Sequence, residues 1–377
     1  MIAEIDIRKL ETFVFRYPLD REIRSAVGSY DNRPAVFIKV EDKNGEVGWG
    51  EAFCNFPTCG AEHRANLIET LFKPLLTGDN IFSSPEEVYS CLQEKTAIIA
   101  LKSGEFGPFA QCIAAIDIAI WDLWAKKKKS PVWKLLNAKG TPELKVYASG
   151  LGPINAAEKA SAKRDEGYRA FKLKVGFGEK QDTANLESLR NCLGEDALIM
   201  VDANQVWSLE DASVMVHLFE KYNLLWIEEP LRCDRPFQDW QRLASLSLVD
   251  FAAGECLYSE EQFAPFIKHG VIKFVQPDLI KWGGFSGIAP LLKLFSKHKI
   301  QYCPHSLAGG IGLLASAHLL AASKSPGWLE VDANVNPMRE EIFRSFPKVI
   351  DGLIYIGNEP GLGAEPDFDK IMEYRIL

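Results

Sequence analysis

Residues 171–176 read FKLKVG and set two lysines one residue apart inside an apolar run. Successive side chains of a strand point to opposite faces, so Lys172 and Lys174 share one face while Phe171, Leu173 and Val175 share the other. The run follows RDEGYRA at 164–170, which reads as a helix end with Gly167 as its cap, so this is a strand that comes after a helix. If helices cover the apolar face, both ammonium groups point inward.

The same rhythm continues on both sides. Short apolar runs alternate with helical segments at roughly 25 residues per unit, the pace of successive βα units. They are KVYAS (145–149), AFKLKV (170–175), ALIMVDAN (197–204), LLWIEEP (224–230), VDFAAGE (249–255), IKFVQPD (272–278), IQYCPHS (300–306) and GWLEVDA (327–333). Eight such runs predict an α/β chain with a closed parallel barrel, a TIM-type architecture, rather than an open doubly wound sheet. No Gly-x-Gly-x-x-Gly turn opens a helix where a dinucleotide fold needs one. Residues 1–60 differ: FVFRY and AVFIKVEDKNGEVGWGEAF are strand signals, with an Asn-Gly turn at 44–45, and residues 61–135 look mainly helical. The reading is an N-terminal α+β capping domain over 1–130, a barrel over 131–345, and a tail over 346–377 that returns to the N-terminal unit. The polar stretch YPLDREIRSAVGSYDNRP at 17–34 reads as a long loop acting as a lid.

The composition excludes several partners. A chain of 377 residues with 47% hydrophobic and 25% charged residues can bury a large core, and a formal charge of -8 argues against a nucleic-acid surface. The one basic run, Lys126 to Lys129, reads as a helix C-terminus offsetting the macrodipole. The N-terminus MIAEIDIRKLETFVF alternates like a strand and is no signal peptide, and no charge-free apolar stretch is long enough to cross a bilayer. Eight dispersed cysteines without a Cys-x-x-Cys predict reduced thiols in the cytoplasm.

In a parallel barrel the chemistry sits at the C-terminal ends of the strands, and here nearly every strand ends in an ionisable residue. Lys172 and Lys174 close the second, Asp202 the third, Glu228 the fourth, Glu255 the fifth, Asp278 the sixth, His305 the seventh and Glu330 the eighth. Any one of them could be a helix cap or a surface ion pair; in phase, they predict a site. Asp202, Glu228 and Glu255 lie on adjacent strands, and three carboxylates cannot share a low-dielectric pocket without a cation between them. Oxygen-only ligands point to Mg²⁺ rather than Zn²⁺. Repulsion between Lys172 and Lys174, near such an ion, is expected to favour the neutral amine and let one act as a base. His305 follows Asp278 by one βα unit, so the carboxylate can hold one ring nitrogen and set the tautomer of the other.

The set KLK, VDANQ, IEEP, GE, QPDLIKWGG and PHS, in this order, resembles the enolase superfamily and within it the mandelate racemase subgroup. The likeness extends to the N-terminal GWGEAF and the helix AIDIAIWDL. It implies a capping domain over a modified (β/α)₇β barrel, one Mg²⁺, a homo-oligomer, and abstraction of the proton alpha to a carboxylate. By resemblance Asp202, Glu228 and Glu255 match the metal ligands and Lys174 the base on one face. Lys172 matches the residue that steadies the substrate carboxylate, Asp278 and His305 the dyad on the other face, and Glu330 an acid that hydrogen-bonds the enolate oxygen. In the muconate lactonising branch a lysine would stand where Asp278 stands, and Lys281 comes three residues too late to replace it. KLLNAKG at 134–140 departs from the family's Gly-Gly turn, outside the site.

Removing that proton creates a dianionic enediolate, so positive charge must stand where it develops: Mg²⁺ and Lys172, with Glu330 donating a hydrogen bond if protonated. His305 can then reprotonate the carbon or protonate a leaving hydroxyl. The resemblance favours dehydration of an acid sugar to a 2-keto-3-deoxy acid. A racemase or epimerase of a 2-hydroxy acid, a lactone cycloisomerase, and a non-catalytic sugar-acid binding protein are the alternatives. Asn204 in VDANQ, with Arg24, Tyr30 and Phe56 of the segments at 17–34 and 51–58, are the candidates for substrate binding.

Overall fold

In the computed structural model, which describes residues 4–78, 80–343 and 346–377, an antiparallel sheet comes first, with β1 (Ile7–Ser25), β2 (Gly28–Asp42) and β3 (Val47–Ala52) in that order. Asn44-Gly45 lies in the turn between β2 and β3: Gly45 takes φ +82°, and Asp42 Oδ1 accepts from the N–H groups of Asn44 (2.8 Å) and Glu46 (3.0 Å). Gly48 and Gly50 are needed for another reason. A Cβ there would stand 2.0 and 1.9 Å from the carbonyl oxygens of Ala119 and Ala115, so sheet and helix meet backbone to backbone.

That helix, Phe106–Lys127, has 22 residues and a mean hydropathy of 1.3 over its most apolar window, long and apolar enough to cross a membrane by those measures alone. It is not free of charge, since Asp117 and Asp122 lie within it, so the expectation that no charge-free stretch has that length stands. Here the helix packs between two layers: Ile113, Ile116, Ile120 and Leu123 join the core under the capping sheet, while Ile118, Trp121 and Ala125 join the core that surrounds the barrel. Its two acids are buried and tie down backbone elsewhere. Asp117 accepts from Ser286 N–H (3.0 Å), and Asp122 accepts from Trp49 N–H (3.0 Å) and Leu362 N–H (2.8 Å). Burial pushes the Asp117 carboxyl up to about 8. The basic run does more than end the helix: Lys126 pairs with Asp122 (2.9 Å) and Lys127 with Asp42 (2.6 Å).

The eight apolar runs all become strands: β4 (Glu143–Leu151), β5 (Ala170–Lys174), β6 (Leu198–Asp202), β7 (Leu224–Glu228), β8 (Phe251–Ala253), β9 (Phe274–Val275), β10 (Gln301–Tyr302) and β11 (Trp328–Asp332). They pair in the order β10-β9-β8-β7-β6-β5-β4-β11, each pair parallel, in a barrel closed except between β10 and β11. Alternation sorts the side chains. Tyr147, Ala170, Met200, Trp226, Ala252, Phe274 and Cys303 fill the interior, and Val146, Phe171, Leu173, Val201 and Ile227 pack outward under the helices.

The tail touches both units. Strand β12 (Leu353–Tyr355) adds antiparallel to the start of β4, and Phe368 then packs among Phe13, Phe15, Phe37 and Trp49 at ring-centroid distances of 5.1–5.4 Å. From the capping sheet, Glu51 reaches back and accepts from the N–H groups of Gly309 (2.5 Å) and Gly312 (2.7 Å), where the helix Gly310–Ser323 begins.

Residues 17–34 are not a loop. They are the far ends of β1 and β2, paired Ile23↔Tyr30, Arg24↔Ser29 and Ser25↔Gly28, with a register shift that bypasses the segment between Pro18 and Ile23. Pro18 and the charges beside it carry the loop signal, and the bulge absorbs them while the strands continue. The hairpin tip lies on the barrel mouth, where a Cβ on Gly176 would meet Ala26 Cβ at 3.0 Å and Val206 Cγ2 at 2.6 Å.

His318 in the helix Gly310–Ser323 joins barrel, linker and tail: its Nδ1 accepts from Trp133 N–H (3.2 Å) and its Nε2 donates to Leu362 O (3.2 Å). Burial favours the neutral ring and pulls its pKa from 6.5 down to about 4. The unfolded chain therefore takes up this proton first, so stability is full above about pH 6.5 and is lost as the pH falls toward 4. The loss is of order 3 kcal/mol. In His318→Gln, denaturant unfolding should show a shallower decline over that window; an unchanged slope would clear His318 of the effect.

Candidate active site

The lysines that opened the sequence point inward, as their face requires. Lys172 is fully buried, with Nζ 2.5 Å from Glu228 Oε1, 2.8 Å from Glu330 Oε1 and 3.7 Å from Asp202 Oδ2, above the ring of Tyr147. Lys174 lies one pleat further toward the mouth and reaches Asp202 Oδ2 at 2.5 Å. The expected mutual repulsion does not govern their charge. Burial acts to lower both pKa values, but Glu228 and Glu330 hold Lys172 well above its ordinary value and Asp202 does the same for Lys174. Each ammonium has a carboxylate nearer than its twin, so both are charged in this arrangement.

The acids divide accordingly. Asp202 and Glu228 stand in register on β6 and β7, and Glu255 follows the end of β8. Burial would raise Asp202, yet Lys174 and Lys172 bring it below its ordinary value; burial and the Asp202 charge push Glu228 up to about 7. Glu255 is lowered against the effect of burial by Lys281 and His305. Glu228 is further fixed by Gln276 Nε2 (2.6 Å) and Trp226 Nε1 (3.1 Å), both donating to Oε2. Among the described residues, the carboxyl and thiol groups that converge within 4.8 Å of one another are Glu229, Glu255 and Cys256. Asp202 and Glu228 stand outside that group, each with an oxygen on a lysine.

Those ammonium groups mark where positive charge is accepted, and the donor set of Asp202, Glu228 and Glu255 is oxygen only, as a hard divalent cation requires. Asn204 adds to the fit: its N–H and Nδ2 donate to Asp202 (2.8 and 3.2 Å), while its Oδ1 is buried without a hydrogen-bond partner.

Across the barrel, His305 Nδ1 lies 2.6 Å from Asp278 Oδ2 and Nε2 lies 3.1 Å from Glu255 Oε2. The expected single carboxylate has become two. Burial opposes the imidazolium, but Glu255, Glu330 and Asp278 outweigh it and push His305 up to about 9, so both ring nitrogens donate. Glu330 also differs from expectation. It accepts from Ser149 Oγ (2.5 Å) and Ser306 N–H (2.9 Å) and from Lys172, and despite burial Lys172 and His305 hold its pKa down. It is an ionised acceptor here, with no proton to donate.

One cavity of about 100 Å³ joins these groups: Lys174, Asn204, Glu255, His305 and Glu330 line its floor, while Ile23, Arg24, Val27 and Tyr30 of the hairpin and Phe53 and Phe56 after β3 form its roof. All four substrate-binding candidates, Asn204, Arg24, Tyr30 and Phe56, thus border it. Arg24 is exposed beside Glu22 (3.5 Å), and Phe56 is half exposed.

The comparisons with known proteins follow from this geometry. Residues 9–137 match the family described as mandelate racemase / muconate lactonizing enzyme, N-terminal domain, and residues 155–370 match the enolase C-terminal domain-like family. The chain belongs to the mandelate racemase/muconate lactonizing enzyme family of the enolase superfamily. It is 32% identical over 342 residues to the arabinonate dehydratase of Saccharolobus solfataricus, with 87% of each chain covered. To the D-galactarolactone cycloisomerase of Agrobacterium fabrum it is 27% identical over 387 residues, covering 98% of this chain and 99% of the other. Among solved structures, a mandelate racemase/muconate lactonizing enzyme from Bordetella bronchiseptica RB50 superposes with a TM-score of 0.89 at 42% identity over 99% of this chain and 100% of that one. L-talarate/galactarate dehydratase from Salmonella typhimurium LT2, liganded with Mg and L-lyxarohydroxamate, does so with a TM-score of 0.86 at 25% identity over 100% and 94%. These relatives include lyases and isomerases, so enolase-superfamily chemistry holds for this chain at that level.

Sequence alone does not single out Arg33 or Asp332, and it sets aside Lys281, which the structure places at the edge of the site. Lys281 is buried over the ring of Phe53 (4.7 Å) and pairs with Glu255 Oε1 (3.2 Å), so it stands beside the site rather than in place of Asp278. The one available signal was its turn spacing after Asp278, whose carbonyl accepts from Lys281 N–H (3.2 Å). Arg33 on β2 is buried against Asp332 at the end of β11, with the Tyr30 ring 5.4 Å from its guanidinium. This pair fastens the hairpin to the barrel. Arg33→Met leaves the Asp332 charge buried without its nearest partner and should lower unfolding stability by about 3–5 kcal/mol, and adding Asp332→Asn should recover part of it. Equal denaturant midpoints for Arg33→Met and the parent would show that the pair does not anchor the hairpin.

Proposed function

We propose that this chain is a Mg²⁺-dependent dehydratase that takes an acid sugar to a 2-keto-3-deoxy acid. The observation that carries the reading is one cavity lined from one side by Lys174 and from the other by His305, with Glu255 and Glu330 on its floor. In this reading Asp202, Glu228 and Glu255 hold the cation. A divalent ion there would supply positive charge to the substrate carboxylate, and Asp202 and Glu228, bound to it, would no longer hold Lys174 and Lys172 in the charged form.

The chain's own residues do the rest. Lys174 removes the α-proton, and Lys172, held between Glu228 and Glu330, steadies the carboxylate as negative charge develops. His305 carries a proton on each ring nitrogen, and Asp278 holds the Nδ1 side, so Nε2 is the donor toward the cavity. Its proton goes to the β-hydroxyl as that group leaves. Asn204 Oδ1, without a partner of its own, is free to accept from a substrate hydroxyl.

An isomerase is the second reading, and among isomerases the cavity favours a lactone cycloisomerase over a racemase or epimerase. About 100 Å³ bordered by apolar Ile23, Val27, Phe53, Phe56 and Leu307 falls below the roughly 300–1,000 Å³ of ordinary ligand pockets and suits a compact ring better than an open chain.

Lys174→Ala and His305→Asn should each lower kcat by about 10²–10⁴-fold with the fold intact by circular dichroism; full activity in either removes that residue from the mechanism. Chelation with EDTA should abolish turnover and added Mg²⁺ restore it. In D₂O, deuterium at the α-carbon of recovered substrate without any keto acid would reject dehydration and select the isomerase.

A further inference from the structure

Beside the site lie two cysteines that the chemistry above does not use. Cys233 sits in the loop after β7 and Cys256 in the loop after β8, on neighbouring strands of the barrel. Both are half-buried and free, and their side chains lie within reach of each other. Gln205 fixes the pair from below: its Oε1 accepts from Cys233 N–H (2.9 Å), and its Nε2 donates to Cys256 Sγ (3.6 Å) and to Glu229 Oε1 (2.8 Å). Cys256 Sγ in turn contacts Glu255 Oε1 at 3.6 Å. One sulfur thus faces a second thiol on one side and a carboxylate of the site on the other.

We propose that Cys233 and Cys256 are an oxidisable pair whose disulfide withdraws Cys256 from Glu255 and weakens the site's hold on its cation. The oxidant is a low-molecular-weight disulfide. One cysteine thiolate attacks it, forming a mixed disulfide and releasing one thiol; the second cysteine thiolate displaces the other thiol and closes the Cys233–Cys256 bond. Two cysteine S–H bonds are lost and two small thiols gained, so the two electrons and two protons balance. A disulfide among otherwise reduced thiols is of the transient, sensing kind. Closure draws Cys256 Sγ toward β7. Glu255 Oε1 thereby loses the sulfur beside it and is left with Lys281, which changes the setting of the carboxylate. The loss of cation affinity rests on the reading of Glu255 as a metal ligand; the bond itself does not.

The test treats the full chain with oxidised glutathione, maps peptides by mass spectrometry and titrates Mg²⁺ by calorimetry before and after. The expected result is a 233–256 cross-link without a glutathione adduct on either cysteine, an Mg²⁺ affinity lower by about tenfold or more, and recovery with dithiothreitol. Cys233→Ser should stop at a glutathione adduct on Cys256, whereas the reduced variant binds Mg²⁺ like the reduced parent. Stable adducts without a cross-link in the parent overturn the proposal, as does a cross-linked protein with unchanged Mg²⁺ affinity. A reduced parent that binds no Mg²⁺ at all refutes the metal reading instead, and the cross-link is still scored by mass.

Discussion

The ammonium of Lys172, sealed inside the barrel between Glu228, Glu330 and Asp202, is the contact on which the rest of the centre depends. Removing such a charge from water is several kcal/mol unfavourable, and buried ion pairs are often no better for stability than apolar residues of the same volume. The interior just below, Tyr147, Ala170, Met200, Trp226 and Phe274, shows that this barrel fills apolar layers without difficulty. Keeping charge one layer higher therefore argues for chemistry rather than strength. The cation also dictates its surroundings: three strands, β6, β7 and β11, each present a carboxylate to β5, and each carboxylate needs its own second partner. Glu228 has Gln276 and Trp226; Glu330 has Ser149 and Ser306.

A second set of buried carboxylates acts at a distance from the reaction. Glu51, Asp117 and Asp122 all accept backbone N–H groups from elements remote in sequence, and they join capping sheet, long helix, barrel helices and tail. A backbone donor has one position, so these contacts fix orientation more tightly than apolar packing does. The consequence is felt at the mouth. With β3 held to the helix Gly310–Ser323 through Glu51, the β1–β2 hairpin is carried over the strand ends, and Ala26 comes to rest near Gly176.

The barrel could be read from sequence because a parallel strand ends where its run of apolar residues ends, and the acids at those ends needed only a count. The same local logic put Lys172 and Lys174 on one inward face and His305 within reach of Asp278. Charge state was another matter: it depends on which opposite charge stands nearest in space, and FKLKVG says nothing of Glu330, 158 residues beyond Lys172 in the numbering. The hairpin at 17–34 was hidden by Pro18 and its charged neighbours, since a strand held by a partner across a bulge need not look like one. Arg33 and Asp332 are 299 residues apart, so neither could announce the other. Lys281 sits in a turn, where neither the period of a strand nor that of a helix tells which way a side chain points.

These contacts divide the cavity into a floor and a roof with different origins. The floor is built from strand ends that are hydrogen-bonded to one another, so its geometry changes only if the barrel does. The roof comes from the hairpin and the segment after β3, and its direct tie to the floor at the hairpin is the buried Arg33–Asp332 pair. Asp332 also accepts from Asn334 N–H and Nδ2 (3.0 and 2.8 Å), and both residues border the cavity. Whatever lies between roof and floor therefore feels the hairpin through Asp332 as well as through Ile23, Arg24 and Tyr30. Lys174 and His305 belong to the floor, so a change in the hairpin alters the roof of the cavity while leaving these ionisable groups where they are.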